Sequence, residues 1–384
     1  MRVRGVDVRR ASAVAAIAIV GAVSSVVAPS ADATFPGRNG EVMYSWQDVS
    51  GKALWSYSGV SALATRTKVS RHLATCFWDN THENPSRRNC SLHDPAVSRD
   101  GMRVAVVVAD SSVGESSTLA YRLLLVTMNG APEQSLPLDG PAFDPAWSPS
   151  GDQIVVTRYL AARGWQTEGS PRLALLDGQG REIGTIGGEG ASDADWAASG
   201  ETAYVQDGSV WAMRPGGSPR RLTTGRSPSW SPDSRMIAFE RDGRIWTVWA
   251  DGTRERRLAD VPAVDPVWSP DGRYVGFGQP QGWMDHLGLG SISVMRADGR
   301  CPHVLQRALG WTGYGSPTWR SLPGSAPKRL GPPACDRRAK KQRAAKRRAA
   351  KRRAAKRCNQ KQRAVKPRTG SRRCGVGSHG RSRR

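Results

Sequence analysis

The residue types that could do chemistry in this sequence are concentrated in a few polar insertions. Aromatic rings, imidazoles and carboxylates occur there together, at Trp78, Asp79, His82, His93, Trp165, Trp283, Asp285, His286, Trp311 and Tyr314. Aromatic rings offer large apolar contacts at low entropic cost, which suits a carbohydrate or a peptide. Imidazole with carboxylate suits several divalent ions. The set predicts a binding face for a protein or glycan, although the rings could equally cover their own loops.

Common catalytic and redox signatures are missing from the chain. It holds no G-x-S-x-G elbow, no H-E-x-x-H helix and no C-x-x-C pair, which argues against a serine-hydrolase domain, a zincin core and a redox or zinc site. The histidines show no diagnostic ligand spacing. We therefore assign no catalytic residue, metal or cofactor, and expect a protein that is not an enzyme. The alternative is a lyase, lactonase or hydrolase with a metal held by His82, His93 or His286 and carboxylates.

The elements that must position these residues come from an internal repeat. The phrase Asp/Ser-Pro-x-Trp-Ser-Pro-x-Gly recurs with variation, and each copy precedes an alternating apolar run; the copies begin at residues 94, 144, 193, 227, 265 and 316. Spacings of this size indicate an array of equivalent units. Each unit divides into four short strands joined by tight turns, because Pro fixes φ and Gly accepts a positive φ. This is the blade of a β-propeller, and the 42 Gly and 25 Pro favour it over a helical bundle.

The predicted number of blades is six, because the N-terminal and C-terminal strands together form one blade. Residues 39–45 read as a second strand with no first strand before it, and the copy at Trp319 reads as a first strand with no second strand after it. Pairing the two completes a blade and removes open sheet edges. The fold class predicted is an all-β six-bladed propeller, closed by N- and C-terminal strands and followed by a disordered or helical basic tail.

The repeats resemble those of the TolB-like, WD-type six-bladed propellers. The resemblance covers about residues 36–321 and rests on the repeated phrase seen at Trp268-Ser269-Pro270-Asp271-Gly272. It implies the fold but no particular function, since such propellers serve as binding scaffolds, accessory domains and enzymes. The recurring Trp is interpreted as packing between blades, because it appears once per unit at one strand position.

The predicted propeller has one face of tight turns and one face of long insertions. Successive strands run antiparallel, so the first-to-second and third-to-fourth turns share one face and the remaining connections share the other. The insertions, expected at 70–93, 108–118, 158–170, 279–289 and 306–315, all fall on the second face. Loops on a rigid scaffold commonly carry binding residues.

The domain organisation is residues 1–33, 34–323 and 324–384. The first segment has the basic start, the apolar run and the Ala31-Asp32-Ala33 site of a secretory signal peptide, with an uncleaved anchor as the alternative. The expected location is the periplasm, the cell wall or the extracellular space, without a transmembrane segment after cleavage. Six cysteines in an exported chain predict disulfides. Cys76 with Cys90, which bracket one insertion, is the only pair that we predict.

The tail carries almost all of the net charge. The chain has a formal charge of +24, and residues 328–384 contain 24 Lys or Arg against Asp336 alone. The centre of this segment consists of repeats whose cations are Lys346, Arg347, Arg348, Lys351, Arg352, Arg353, Lys356 and Arg357. Such a segment favours a polyanion, which we expect to be an acidic polymer of the cell envelope. Nucleic acid and the absence of any dedicated partner are the alternatives, but no interleaved aromatic residues are present to stack bases.

Overall fold

The computed structural model describes residues 37–48, 55–64, 69–79, 89–111, 119–163, 166–280, 290–307 and 312–322, together with Arg348 and Arg352. The predicted signal peptide lies outside these residues, as does the tail except for Arg348 and Arg352, which are helical and exposed. Within the described chain, no helix has the length and apolar character needed to cross a membrane.

The strands form six antiparallel four-stranded blades. Blade 1 contains β1 (Arg38–Asp48), β2 (Trp55–Ala64), β3 (Val69–Asp79) and β26 (Thr312–Leu322). Blade 2 contains β4 (Asn89–Val97), β5 (Arg103–Ser111), β6 (Leu119–Thr127) and β7 (Pro132–Leu138). Blade 3 contains β8 (Ala142–Trp147), β9 (Ile154–Arg158), β12 (Arg172–Leu176) and β13 (Glu182–Ile186), with a hairpin of β10 (Ala161–Arg163) and β11 (Gln166–Glu168) between β9 and β12.

The remaining three blades follow in chain order. Blade 4 contains β14 (Ser192–Trp196), β15 (Thr202–Gln206), β16 (Ser209–Met213) and β17 (Arg220–Thr224). Blade 5 contains β18 (Arg226–Trp230), β19 (Met236–Arg241), β20 (Arg244–Trp249) and β21 (Arg256–Arg257). Blade 6 contains β22 (Val264–Trp268), β23 (Tyr274–Pro280), β24 (Gly290–Arg296) and β25 (His303–Gln306). The predicted six-bladed, all-β propeller is confirmed.

Blade 1 closes the ring from both ends of the propeller. β26 is its innermost strand and pairs antiparallel with β1, with Val42 opposite Trp319. Glu41 supports the closure from the side, because its carboxylate pairs with Arg320 at 3.0 Å and with Arg71 at 3.2 Å. The shared blade predicted from the repeat is therefore present.

The Ser-x-Asp part of the repeat builds the tight turns. In blade 2, the Ser98 hydroxyl donates to Oδ1 of Asp100 at 2.6 Å, and the Gly101 amide donates to the Ser98 carbonyl at 2.8 Å. Gly101 has φ of 68°, a value that glycine accepts without a Cβ penalty. The same Ser-to-Asp bond recurs from Ser231 and Ser269.

The tryptophans of the repeat pack in the interior of the propeller. Trp230 and Trp268 are fully buried, and Trp147 of blade 3 donates its indole N–H to the Ala96 carbonyl of blade 2 at 3.1 Å. The contact joins two blades, as the recurrence of the residue predicted. Each Trp therefore contributes to the apolar contacts that hold neighbouring blades together.

Several segments that were predicted as loop insertions include residues that belong to strands. The segment 70–93 contains most of β3 and the start of β4, and the segment 158–170 contains the β10–β11 hairpin. The segments beginning at 108 and 279 start inside strands β5 and β23, and the one ending at 315 includes the start of β26. Polar residues in these strands lack the apolar alternation by which strands are recognised.

Candidate functional site: the axial cavity

The structure describes only part of the binding face predicted from the sequence. His93 lies in β4 rather than in a loop, Trp78 and Asp79 end β3, and Tyr314 lies in β26 opposite Trp46. The other members lie outside the described residues: His82, Trp165, Trp283, Asp285, His286 and Trp311. The grouping of these ten residues remains a prediction.

A different set of residues meets at the centre of the propeller. A cavity of about 210 Å³ is lined by the innermost strands of all six blades, and it therefore lies on the propeller axis. The first residue of each repeat copy in blades 2 to 6 is a polar residue of this lining, and Asp195, Ser229 and Thr318 line the cavity as well. We call the first residues the axial ring: Asp94, Asp144, Asp193, Ser227 and Asp265. The ring thus carries four carboxyl groups and one hydroxyl.

A β-bulge places each ring residue at the cavity wall. The pairing of every inner strand shifts register at this point, as between His93 and Ala96 in blade 2. All five ring residues have φ between 47° and 50°, a left-handed conformation that Asp tolerates better than most residues. Pro follows the ring residue in four of these blades and has no N–H to leave unpaired at the bulge, whereas Ala194 follows Asp193. The left-handed residue at the bulge is therefore the feature that all five positions share.

The ring also joins neighbouring blades by hydrogen bonds. The Asp144 amide of blade 3 donates to Oδ2 of Asp94 in blade 2 at 3.4 Å, and the Asp193 amide of blade 4 donates to the Thr157 hydroxyl of blade 3 at 3.1 Å. The Ser227 hydroxyl of blade 5 donates to Oδ1 of Asp265 in blade 6 at 3.1 Å. The carboxyl groups consequently have a structural role as well as a surface facing the cavity.

Burial makes the ring electrostatically unfavourable when it is fully ionised. Desolvation raises the pKa of Asp144 well above its ordinary value, and the charges of Asp94, Asp193 and Asp265 raise it further. The pKa of Asp265 is raised to about 7 by burial and by the nearby Glu240. Burial also raises the pKa of Asp193.

Asp193 raises the pKa of Asp144 both by its charge and by a direct interaction of the two side chains. Like charges held close together in a desolvated site favour the sharing of one proton between two carboxyl groups. We therefore expect the ring to accept hydrogen bonds from a donor group of a ligand.

An aromatic cluster lies beside the axial ring, between blades 2 and 3. Phe143, which precedes Asp144, contacts three rings edge-on: His93 at 6.4 Å between centroids, Tyr121 at 6.1 Å and Tyr159 at 5.9 Å. Burial lowers the pKa of His93, and the nearby Asp94 opposes this change. Nε2 of His93 lies 2.7 Å from the Ser91 hydroxyl. These four rings are not among the residues that line the cavity, and Phe143 packs against the apolar core of blades 2 and 3.

The sequence did not single out the ring residues as functional. They belong to a repeated phrase, and a repeated Asp before Pro is typical of a turn. The available signal was that the position is Asp in four of the six copies, with Ser227 and Ser316 in the other two. In the described part of the chain, no group of three or more His, Cys, Asp and Glu is arranged to hold a metal ion.

Two cysteines of the described chain, Cys90 and Cys301, are disulfide-bonded. Cys76 lies in β3 of blade 1, and Cys90 begins the next blade in β4. The side chain of Cys76 lies outside the described part, so the pairing of Cys76 with Cys90 stays a prediction.

Comparison with solved structures finds other propellers at low sequence identity. A structure assigned as TolB from Agrobacterium tumefaciens matches with a TM-score of 0.45 and 18% identity, over 74% of this chain and 99% of that one. A puromycin hydrolase matches with a TM-score of 0.42 and 16% identity, over 71% of this chain and 46% of the hydrolase. A gluconolactonase from Xanthomonas campestris matches with a TM-score of 0.41 and 16% identity, over 56% of this chain and 75% of that one.

These likenesses concern the fold and assign no activity. No protein-family model matches the chain, and no curated protein matches it. The membership in a TolB-like or WD-type family that the repeats suggest therefore remains a resemblance.

Proposed function

We propose that this protein is an exported binding propeller that is not an enzyme. Its loop-rich face receives a protein or glycan ligand, and a donor-rich or positively charged group of that ligand enters the axial cavity. The observation that carries the proposal is the axial ring of carboxyl groups at the centre of the propeller. The cationic tail associates the protein with an anionic polymer of the cell envelope.

The size of the cavity limits what can enter it. Its volume of about 210 Å³ is below the roughly 300–1,000 Å³ of small-molecule sites. A single side chain or one sugar unit fits such a space, while the rest of the ligand would lie on the surrounding face. This arrangement supports recognition of a projecting group of a macromolecule.

The chemistry of the lining sets the preferred group. Carboxylates accept hydrogen bonds, and bonds from an ionised donor are about twice as strong as neutral ones. A Lys or Arg side chain would donate hydrogen bonds to the carboxyl groups of Asp94, Asp144 and Asp193. A carboxylate or phosphate group would be repelled.

A peptide array tests the axial site. Full-length protein is applied to peptides that differ at one position, which carries Lys, Arg, Gln or Glu. We expect selective binding of the Lys and Arg members, with loss in the Asp144→Asn variant, which removes one carboxyl group of the axial ring. Asp251→Asn is the matched control, because Asp251 is an exposed carboxylate in a tight turn. Equal binding of Glu and Lys peptides would contradict the proposal, and a glycan array run in parallel tests a sugar ligand.

Fractionation tests the tail. Deletion of residues 328–384 removes 24 cations and one acid, and we expect the shortened protein to leave the envelope fraction at physiological salt. Circular dichroism of the deleted form checks that the propeller persists. Unchanged retention of a folded, tail-less protein would exclude the tail as the anchor.

The enzyme alternative keeps one observation in its favour. A proton-sharing carboxyl pair such as Asp144 and Asp193 is a device of general acid–base catalysis. Metal analysis of the purified protein, with and without the His82→Ala and His286→Ala changes, tests the metal-dependent lyase, lactonase or hydrolase. Stoichiometric metal that is lost in these variants would favour the enzyme.

A further inference from the structure

We propose that the tight-turn face of blades 4 to 6 is a second binding surface, which engages a linear phosphate-bearing polymer together with the tail. This inference rests on the polyanion-binding role proposed for the tail and extends it to the folded propeller. It concerns the face opposite the loop-rich end of the axial cavity.

Exposed arginines occupy five turns of this face. Five of the six strand-to-strand turns of blades 4 to 6 at this end have one in or beside them, and the β14–β15 turn has none. The five are Arg214, Arg235, Arg254, Arg273 and Arg300. The turns all join first to second or third to fourth strands, and antiparallel pairing therefore brings them to one end of the propeller. The basic residues form a surface although they are far apart in the sequence.

Contacts between the turns make this surface continuous. The Arg220 guanidinium of blade 4 donates to the Ala250 carbonyl in the β20–β21 turn at 2.8 Å. The Arg256 guanidinium of blade 5 donates to the Ala297 carbonyl in the β24–β25 turn at 3.4 Å. A polymer that contacts one turn therefore meets the next blade without crossing a gap.

Four of the guanidinium groups are available for an anion. Arg214, Arg235, Arg254 and Arg273 form no ion pair within 4 Å among the described residues, whereas Arg300 lies 3.9 Å from Asp298. Acidic residues occur on the same turns, but they are engaged locally. The carboxylates of Asp233 and Asp271 accept hydrogen bonds from serine hydroxyls of their own turns. The carboxylate of Glu255 pairs with Arg241.

On the same face of blades 2 and 3, the described turn arginines are engaged with other groups of the protein. There Arg99 and Arg103 donate to the Pro149 and Gly151 carbonyls of the neighbouring blade. Arg181 pairs with Asp177 at 2.7 Å. Among the turns that the structure describes, the free basic surface therefore lies in blades 4 to 6.

The last described strand of the propeller ends at this face. β26 is the innermost strand of blade 1, and its last residue, Leu322, pairs with Arg38 at the start of β1. Beside it, the Arg320 guanidinium donates to the Gly101 carbonyl in the tight turn of blade 2 at 2.7 Å. On the other side, the Asp271 amide in the β22–β23 turn of blade 6 donates to the Asn39 side chain at 3.1 Å. In the sequence, the segment with 24 Lys or Arg follows β26.

The composition of the surface favours a phosphate polymer over a protein. Arginine presents a planar fork that matches phosphate with two hydrogen bonds. The exposed large apolar residues of the described chain, Met102, Leu160 and Ile183, belong to blades 2 and 3. The surface of blades 4 to 6 therefore offers charge without the apolar centre of a typical protein interface.

Salt-dependent binding of linear polyphosphate tests the proposal on the full chain. The face variant carries Arg214, Arg235, Arg254 and Arg273 changed to Gln. The matched tail variant carries Arg347, Arg348, Arg352 and Arg353 changed to Gln. Each neutralised phosphate contact contributes about 0.7–0.9 to the slope of log affinity against log salt. We expect the slope of each variant to fall by about 3 relative to the unaltered protein.

The outcomes separate the two proposals. If the face variant binds as tightly as the unaltered protein while the tail variant weakens, the second surface is wrong and the tail role stands. If the unaltered protein does not bind polyphosphate, both fail for this polymer class. Polyglutamate is the comparison probe, and tighter binding of it than of polyphosphate at equal charge would overturn the assignment to phosphate.

Discussion

The axial ring and the arginine-bearing turns use charge in opposite ways. At the axis, four Asp side chains are crowded around one cavity, and burial raises the pKa values of Asp144, Asp193 and Asp265. At the turns of blades 4 to 6, guanidinium groups stand apart in solvent. Charge in a desolvated cluster costs stability, whereas exposed charge costs almost none and is available to a partner. The same repeat thus provides a buried polar cluster that lowers the stability of the fold and an exposed charged surface that hardly affects it.

A substitution in the buried inner strands should give the largest change in the free energy of unfolding. Trp268 is 1% exposed and belongs to a fully buried apolar cluster with Phe277. Trp268→Ala leaves a large cavity, and we expect a loss of about 3–5 kcal/mol in the free energy of unfolding. Urea denaturation followed by circular dichroism measures it. A loss below about 1 kcal/mol would show that the blades do not depend on this packing.

The ring should make stability depend on pH. The pKa of Asp265 is raised to about 7, so its carboxyl group holds a proton in the folded protein that the unfolded chain loses near pH 4. The stabilisation is complete below about pH 4 and is lost as the pH rises to about 7. Asp265→Asn removes this loss and keeps an acceptor for Ser227. At pH 8 we expect the variant to be more stable by about 1–2 kcal/mol.

Unfolding free energies at pH 5 and pH 8 check the prediction. The control is Asp251→Asn in an exposed turn, where hydrogen bonds from Thr253 lower the pKa of the Asp251 carboxyl group. This control should show no gain at pH 8. An Asp265→Asn variant that follows the pH profile of the unaltered protein would exclude Asp265 as the source.

A substitution at the ion pairs that close blade 1 should lower the free energy of unfolding less than a substitution in the core. Glu41 pairs with both Arg320 and Arg71, and its side chain is 21% exposed. Glu41→Gln keeps the size of the side chain and removes the charge, so we expect a loss of about 1 kcal/mol that shrinks at high salt. Thermal unfolding at low and high NaCl measures it. The absence of any salt dependence would mean that the ion pairs contribute nothing.

The turn arginines should give the smallest effect on stability. Changing Arg235 and Arg273 to Gln leaves the local turns intact, because the Asp233 and Asp271 carboxylates still accept the backbone N–H groups. We expect the unfolding free energy to change by less than about 0.5 kcal/mol, while polyphosphate binding weakens. Denaturation and binding are measured on the same preparation. A larger stability loss would assign these residues a structural role.

The fold could be predicted from the sequence because each repeat contains a recognisable phrase and because the first and last strands of the propeller lack partners within their own repeats. The Trp-Ser-Pro phrase located each inner strand and turn, and the unpaired strands near Met43 and Trp319 predicted the shared blade. Polar stretches of β3 and β10–β11 were missed as strands. Their pairing is decided by tertiary context rather than by apolar alternation.

The axial ring could not be predicted from the sequence in the same way. An Asp before Pro predicts a turn, and the bulge that brings Asp144 to the axis shows only in the backbone. The raised pKa values arise when inner strands from several blades converge, which is a property of the assembled ring. Recurrence of Asp at this position was visible, but its proximity to Asp94 and Asp193 was not.

The pairing of β1 with β26 has a consequence for synthesis. A chain made from its N-terminus exposes β1 as an unpaired edge until residue 322 has been produced and delivered. During this interval the nascent protein can be recognised as incomplete, and it is exposed to strand exchange with another copy. The ring can therefore close only after residue 322 has been added to the growing chain.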